Sequence, residues 1–321
     1  MVEIIRREEI ERILPRLDLL DIIEQGFVAY SRGEVTVPPP GELLFDDPPG
    51  DMHIKYGYIH GDDFYVIKVA SGFYRNPELG LSSSQGLMLL FDRRTGVLLA
   101  VLLDEGRLTD VRTAAAGAVV ARRLATRAAD SIGIVGAGIQ GRLQLLHLLP
   151  VTEATRVLIW APDEAEFLGY REFFAMLGGA PELKFTCDVS DITRSCNLIV
   201  TATPSKTPLL KAAEIQPGTH ITAIGADTPQ KTELEPELLA RADIVVVDSL
   251  AQSESRGEVF RAVQAGAIRR NTVLELGKVL ENPQLGRQHD DQITVADLTG
   301  VAVQDIQIAK AVYRERASLK E

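Results

Sequence analysis

Residues 131–142 read SIGIVGAGIQGR, and the rest of the chain is organised around them. Ile132-Gly133-Ile134-Val135 is a short apolar run of the kind buried in a parallel sheet. Gly136, Gly138 and Gly141 follow in G-x-G-x-x-G spacing, and Leu143 to Leu149 is apolar and helix-competent. The first glycine permits a tight strand-to-helix turn. The second lets the backbone approach a pyrophosphate, where any Cβ would intrude. The third lets the new helix pack closely on the strand. The N–H groups and positive dipole end of that helix then face the phosphates. Gly136, Gly138, Ile139, Gln140 and Gly141 are therefore the candidate dinucleotide contacts.

With 321 residues, the chain is long enough for roughly two domains and a sizeable core. The net charge of −11 argues against nonspecific binding to nucleic acid or an anionic membrane. The two cysteines, Cys187 and Cys196, lack metal-site spacing and suggest no disulfide framework. No metal centre is expected, and a reducing cytoplasm fits. MVEIIRREEIERIL at the N-terminus has no apolar signal region, and no stretch reaches the length of a membrane span.

Upstream of the glycine turn, residues 7–32 place Ile10, Ile13, Leu14, Leu19, Leu20, Ile23 and Phe27 at helical spacing, with Pro15 separating two helices. Residues 33–50 carry five prolines between Pro38 and Pro49, which predicts an extended loop or edge strand. Strand-like runs follow at 52–59, 64–70, 86–92 and 97–103, with turn signals that suggest hairpins. Thr109 is read as the cap of a helix over 110–126. From Ser131 the pattern alternates strand and helix, with strands expected at 132–135, 156–160, 198–202, 220–224 and 244–247. That alternation predicts a doubly wound parallel sheet. Residues 301–318 read as an amphipathic helix.

The candidate chemistry falls in several places. The second strand of a dinucleotide unit normally ends near an acid that holds the ribose hydroxyls. Here that position is Ala161, and Asp163 lies two residues on. It reads equally as a ribose contact or as an acid at a helix start. Lys and Arg are absent from 161–169, which favours NAD over NADP. His53, Lys55, Lys68, Ser84 and Arg112 form an upstream group of polar candidates, with Thr109 beside Arg112. Arg112, read as opening its helix, opposes the helix dipole there and calls for an anionic partner, ligand or structural. Asp227 follows a strand end, where ligands bind in open α/β sheets, although an Asp there also suits a turn.

Together these pieces resemble the ornithine cyclodeaminase/mu-crystallin family over nearly the whole chain. The carrying motifs are Lys68 on its strand, LLDEGRLTDVRTAAAGAVVARRLA (102–125), IGIVGAGIQGR, IGADTPQKTEL (224–234), the stretch around Ser255-Arg256-Gly257-Glu258, and ITVADLTGVAVQDI (293–306). The resemblance implies a homodimer with a Rossmann-type domain over 121–300. An α+β substrate-binding and dimerisation domain over 1–120 would be rejoined by the helix within 301–321. It further implies NAD or NADP as cofactor and a small amino-acid or imino-acid substrate. Lys68 and Arg112 match the family's carboxylate-binding positions and Asp227 its catalytic acid. Ser84 matches a site threonine roughly, and Thr201, Ala202 and Thr203 match a cofactor-contacting loop. Thr113 joins the cofactor candidates, and Lys68 joins Asp227 as a catalytic one.

One departure matters. Ornithine cyclodeaminases and several relatives carry a substrate-binding arginine after the early proline-rich stretch, and Gly41 stands about there in this chain. His53-Ile54-Lys55 also replaces a Glu-x-Met-like segment, and Lys55 is read as supplying the missing cation. Three readings follow. The first is net hydride transfer at the carbon bearing an amino acid's nitrogen, as in reductases of ketimines or cyclic imino acids and in amino-acid dehydrogenases. The second is redox-neutral conversion of ornithine to proline and ammonia. The third is a non-catalytic NADPH- or ligand-binding protein like mu-crystallin. Loss of the matching arginine favours the first.

Overall fold

The structure, a computed structural model, describes residues 1–73, 75–176 and 181–319. It divides into two compact units, Met1–Thr113 with Val301–Glu321, and Ala114–Gly300. The first boundary falls inside the helix Arg107–Leu124, before the residue-120 division expected from sequence.

The first unit is built on a seven-stranded sheet. Its strands are β1 (Glu3–Arg6), β2 (Val35–Thr36), β3 (Gly41–Asp46), β4 (Pro49–Ile59), β5 (Phe64–Phe73), β6 (Ser84–Asp92) and β7 (Leu98–Leu103). They lie in the order β1-β7-β6-β5-β4-β2, with β3 also paired to β4. All pairs are antiparallel except β1 with β7. Side chains alternate between faces, so one set of positions forms the core. Val66, Met88, Leu90, Ala100 and Leu102 pack there against Ile10, Ile13, Leu108 and Val111, and against Ile306, Ile308 and Val312 of the C-terminal helix Ala302–Ser318. That helix therefore belongs to the first unit, although nearly 200 residues of chain intervene.

Two details differ from the sequence reading. The charged segment EIIR forms β1, because Ile5 alone needs burial while its neighbours face solvent. The helix expected from Asp110 begins at Arg107. Its first turn is held by the Asp104 carboxylate, which accepts from the Leu108 N–H at 2.8 Å. Thr109 is thus inside the helix rather than its cap, and Arg112 lies in the second turn, where the dipole argument loses force. The proline-rich stretch contributes β2 and the edge strand β3.

The second unit is an eight-stranded, wholly parallel sheet. Its strands are β8 (Ser131–Val135), β9 (Arg156–Trp160), β10 (Leu183–Thr186), β11 (Leu198–Thr201), β12 (His220–Ala223), β13 (Ile244–Val247), β14 (Leu274–Glu275) and β15 (Thr294–Asp297). Their order is β10-β9-β8-β11-β12-β15-β13-β14. Strands β8, β11, β12 and β15 are buried along their whole length. Alternate residues feed two cores: Ile132, Ile134, Leu198 and Val200 one of them, Val135 and Ile199 the other. This explains the continuous apolar runs in the sequence. The chain steps outward from β8 to β9 and β10, then crosses back to β11, so the switch point of the fold lies between β8 and β11. In open α/β sheets that crevice receives the ligand. This is the Rossmann-type doubly wound sheet expected, and the first unit is the expected α+β companion. Strands β10, β14 and β15 were not foreseen. Of these β15 is central and carries the polar sequence TVAD, whose Asp297 is buried.

Candidate active site

The sheet register of the first unit decides which candidates share a face. Lys55 lies directly opposite Lys68, and Lys68 opposite Met88. One row further, Glu42, His53, Ala70 and Gly86 are cross-strand partners, and beyond them Asp51, Gly72 and Ser84. Directly opposed residues point to the same face, so Lys55, Lys68, His53 and Ser84 all project to one side. The small residues Ala70, Gly72 and Gly86 leave a floor without bulky side chains in the rows between His53 and Ser84. Ser84 lies against the turn before the helix Arg107–Leu124, because a Cβ on Gly106 would stand 2.7 Å from its Oγ. Gly106 has φ +82°, and Glu105 before it is also left-handed at +53°, a conformation that costs a non-glycine residue free energy.

The cations meet at an acid that the sequence reading did not single out. Lys68 Nζ lies 3.0 and 2.9 Å from the two carboxylate oxygens of Asp305, and Arg112 Nε lies 2.9 Å from Oδ1. Arg112 Nη1 donates to Gln304 Oε1 at 2.8 Å. Lys68 is 2 % exposed, Arg112 5 % and Asp305 1 %. The anionic partner demanded by Arg112 is therefore partly structural, and one end of the C-terminal helix supplies it. Lys55 is buried too and acts on both Lys68 and Asp305. A signal for Asp305 was present: it is the lone acid in the apolar run VAVQDIQIA.

Burial pulls the Lys68 ammonium down from its usual value to about 7. Arg112 and Lys55 push the same way, and Asp305 opposes them. Burial disfavours the Asp305 carboxylate, but Lys68, Arg112 and Lys55 hold it below the ordinary range. Lys68 thus changes charge near neutrality. Between about pH 7 and its unfolded value, the unfolded chain holds a proton that the native chain has released, so this group's contribution to stability grows as pH rises through that window. Binding of an anion runs the other way, because the charged ammonium disappears above about pH 7. We expect kcat/KM for a carboxylate substrate to fall along an alkaline limb near pH 7. A bound carboxylate favours the ammonium, so the limb in kcat should lie higher, and Lys68→Arg should remove both limbs from this range.

His53 is also buried, with Nδ1 3.5 Å from Glu42 and Nε2 3.5 Å from Asp51. Those two acids were likewise not singled out from sequence. Thr113 donates its hydroxyl to the Thr109 carbonyl at 2.7 Å, a contact within its own helix.

In the second unit the glycine turn has the geometry the spacing implies. Gly136 adopts φ +116°, and a Cβ there would lie 2.6 Å from the Ala202 carbonyl oxygen. A Cβ on Gly141 would lie 1.9 Å from the Gly136 carbonyl oxygen, so the helix Ile139–Leu148 packs against the turn itself. A Cβ on Gly138 would meet nothing within 4 Å. The middle glycine faces open space, as a backbone that admits a pyrophosphate must. Gly138 is also the N-cap of that helix, so Ile139 and Gln140 open its first turn. The residues present fit a dinucleotide.

Thr201, Ala202 and Thr203 leave β11 beside this turn, and Ala202 N–H donates to Val135 O at 2.9 Å. The hydroxyls of Thr201 and Thr203 both donate to Glu233, at 2.7 Å each. Asp163, three residues past the end of β9, caps a short helical turn, accepting from Ala165 N–H at 2.8 Å. Asp227 is half-buried after β12. Its carboxylate pairs with Lys231 at 2.7 Å, and its carbonyl accepts from Arg256 at 3.2 Å. Among the described residues no group of His, Cys, Asp and Glu could hold a metal ion.

Comparison with known proteins shows the family and agrees with the fold. The family model described as the ornithine cyclodeaminase/mu-crystallin family matches residues 2–321. An uncharacterized cyclodeaminase of Sinorhizobium fredii is 39% identical over 320 residues, covering 98% of this chain and 95% of that one. A solved archaeal alanine dehydrogenase dimer with bound NAD superposes with TM-score 0.88 at 32% identity, covering 100% and 97% of the two chains. The Thermococcus litoralis Δ1-pyrroline-2-carboxylate reductase, solved with NADH and L-proline, gives TM-score 0.92 at 25% identity, covering 99% and 98%. With a glycine turn at the switch point of one unit and a buried cation cluster in the other, this chain belongs to the ornithine cyclodeaminase/mu-crystallin family.

Proposed function

We propose that this protein is an NAD-dependent oxidoreductase acting at the carbon between the carboxylate and the nitrogen of an amino acid or its imine. The observation that carries the reading is the buried meeting of Lys68, Arg112 and Lys55 around Asp305. Asp305 orients Lys68 and Arg112, and the cations so held suit an incoming carboxylate as a further partner. Arg112 has a planar fork suited to a carboxylate, and Lys68 adds a point charge beside it. Fixing the carboxylate fixes the adjacent carbon, and positioning of this kind is worth roughly 7–11 kcal/mol of a barrier. Asp227 is the acid that stabilises a cationic iminium nitrogen and exchanges its proton, with Lys231 orienting the carboxylate. Lys55, His53 and Ser84 line the face that receives the rest of the substrate.

Gly136, Gly138, Ile139, Gln140 and Gly141 hold the dinucleotide, with Thr201–Thr203 and Thr113 assisting. Bound there, NAD(H) supplies or accepts the hydride. In this proposal residues 121–300 form the cofactor domain, and 1–120 with 301–321 form the substrate and dimerisation domain. Asp163, Glu164 and Glu166 follow β9 with no Lys or Arg in 161–169, a charge pattern hostile to a 2′-phosphate. We expect kcat/KM for NADH to exceed that for NADPH by about tenfold or more, measured with one substrate at fixed ionic strength.

A homodimer is supported by the outer face of the first unit's sheet. Tyr56, Ile67, Leu89 and Val101 form one cross-strand row there, Tyr65 and Phe91 stack at 4.7 Å, and Tyr56 is 39% exposed. The archaeal relative noted above is a dimer. The double change Ile67→Glu with Leu89→Glu should give a folded monomer by light scattering, because four buried carboxylates per dimer have no partners. No described helix is long and apolar enough to cross a membrane, and the proposal places the protein in the cytoplasm.

The reading is tested by following NADH absorbance with a panel of cyclic imines and of 2-oxo acids with amines. Net oxidation supports it. The redox-neutral alternative, cyclodeamination of ornithine, would instead give ammonia and proline with catalytic NAD⁺ and no net NADH change. Lys55 and Gly41 in place of the expected residues favour net redox.

A further inference from the structure

We propose that Glu233 is a positioning residue that fixes the two loops carrying the candidate cofactor contacts and the candidate acid. The proposal rests on the dinucleotide reading above and concerns how the second unit holds its site in shape. Glu233 is wholly buried and accepts four hydrogen bonds. One carboxylate oxygen takes Thr203 N–H and Thr203 Oγ, both at 2.7 Å, and the other takes Thr201 Oγ at 2.7 Å and Gly225 N–H at 2.9 Å. The first three donors lie at the end of β11 and the last at the end of β12. One carboxylate therefore ties together the chain segments that leave two adjacent strands.

Both segments matter to the site. Ala202, between the two threonines, sets its carbonyl oxygen against Gly136, the first glycine of the phosphate turn. Asp227 follows Gly225 by two residues. Gly225 has no room for a side chain, because a Cβ would lie 2.2 Å from the Thr203 carbonyl oxygen and 2.6 Å from the Glu233 carboxyl carbon. The loops are packed onto the carboxylate rather than merely near it.

Glu233 is itself held. Its own N–H donates to Glu258 at 2.6 Å, and Glu258 also accepts from Thr232 Oγ at 2.9 Å and from Leu234 N–H at 3.3 Å. Glu258 opens the helix Gly257–Gln264, beside buried Asp297. Burial raises Glu233, and its hydrogen-bond donors oppose that rise. Burial, then Asp297 and Glu233, push Glu258 up to about 8. A buried carboxylate costs stability, and four converging donors are what make it tolerable. A fold needing only packing here would be served by an apolar residue.

The test is Glu233→Gln in the full chain. The amide is isosteric, but whichever way it turns, its NH₂ faces a backbone N–H, that of Thr203 or that of Gly225. The readout is NADH affinity by fluorescence, with Trp160, the single tryptophan, as the energy donor. Thermal stability is measured in parallel. The control is Glu214→Gln, which disturbs a more exposed carboxylate that accepts from the Ser190 and Thr193 hydroxyls and makes no hydrogen bond to either loop. We expect a folded E233Q protein whose Kd for NADH rises about tenfold, and an E214Q protein whose Kd is unchanged even if its Tm falls. If E233Q does not fold, Glu233→Asp, which keeps the charge but shortens the reach to the four donors, is read in the same way. An unchanged Kd in the folded variant would overturn the positioning role while leaving the dinucleotide reading intact. Failure of the unaltered chain to bind NADH would remove the dinucleotide reading, and the proposal with it.

Discussion

Arg112→Met is expected to lower kcat/KM by about three orders of magnitude and leave the Kd for NADH near its original value. Arg112 is 5 % exposed and has both Asp305 and Gln304 to orient its guanidinium, so its geometry is set before any substrate arrives. Removing one partner of a desolvated, hydrogen-bonded charge pair costs about 2–5 kcal/mol, the span that contains a thousandfold loss. Methionine matches the volume of the side chain and removes one of three cations, so the protein should still fold. Lys68 would also regain its proton more readily, because Arg112 is among the groups holding it down. The alkaline limb of activity in the variant should therefore move upward even as its height collapses. A steady-state pH profile with NADH titrations checks both halves. Equal losses in NADH affinity and in activity would show that Arg112 serves the fold rather than the substrate.

Two alanines in the glycine turn should separate stability from cofactor binding. Gly138→Ala should leave Tm unchanged, because its φ of −69° suits any residue and the new Cβ meets no protein atom within 4 Å. It should nevertheless raise the Kd for NADH by about a hundredfold, since the methyl group occupies the approach of the pyrophosphate. Gly141→Ala should lose both, because its Cβ would stand 1.9 Å from the Gly136 carbonyl oxygen and the helix must back away. Overlap of this kind costs typically 1–3 kcal/mol or more. Calorimetry and NADH fluorescence on the pair give the two numbers for each variant. Wild-type affinity in the Gly138→Ala protein would show that no phosphate passes there.

The same turn explains how much was legible in advance. G-x-G-x-x-G after a continuous apolar run states its own geometry, because each glycine answers a local steric demand. Lys68 and Arg112 were legible as charges out of place, one inside a strand and one beside a run of alanines. Their partner was not. Asp305 lies 237 residues from Lys68, and only the return of the C-terminal helix to the first sheet joins them. Glu233 and Glu258 were hidden for a related reason: a glutamate in a polar loop reads as solvated until the strands that bury it are in place. Strand β15 was missed because TVAD carries an acid where a buried strand is expected to be apolar, and Asp297 pairs with backbone N–H groups instead of water. The opposition of Lys55 and Lys68 required the register of a hairpin, which composition alone does not fix.

Where the hydride goes decides the reaction. Incubating the protein with NADH deuterated at nicotinamide C4 and with a cyclic imino acid or a 2-oxo acid plus amine, then reading the product by NMR, tests it directly. Deuterium on the carbon that bears both nitrogen and carboxylate is the predicted result. Tight NADH binding with no deuterium delivered to that carbon, in any member of the panel, would contradict it.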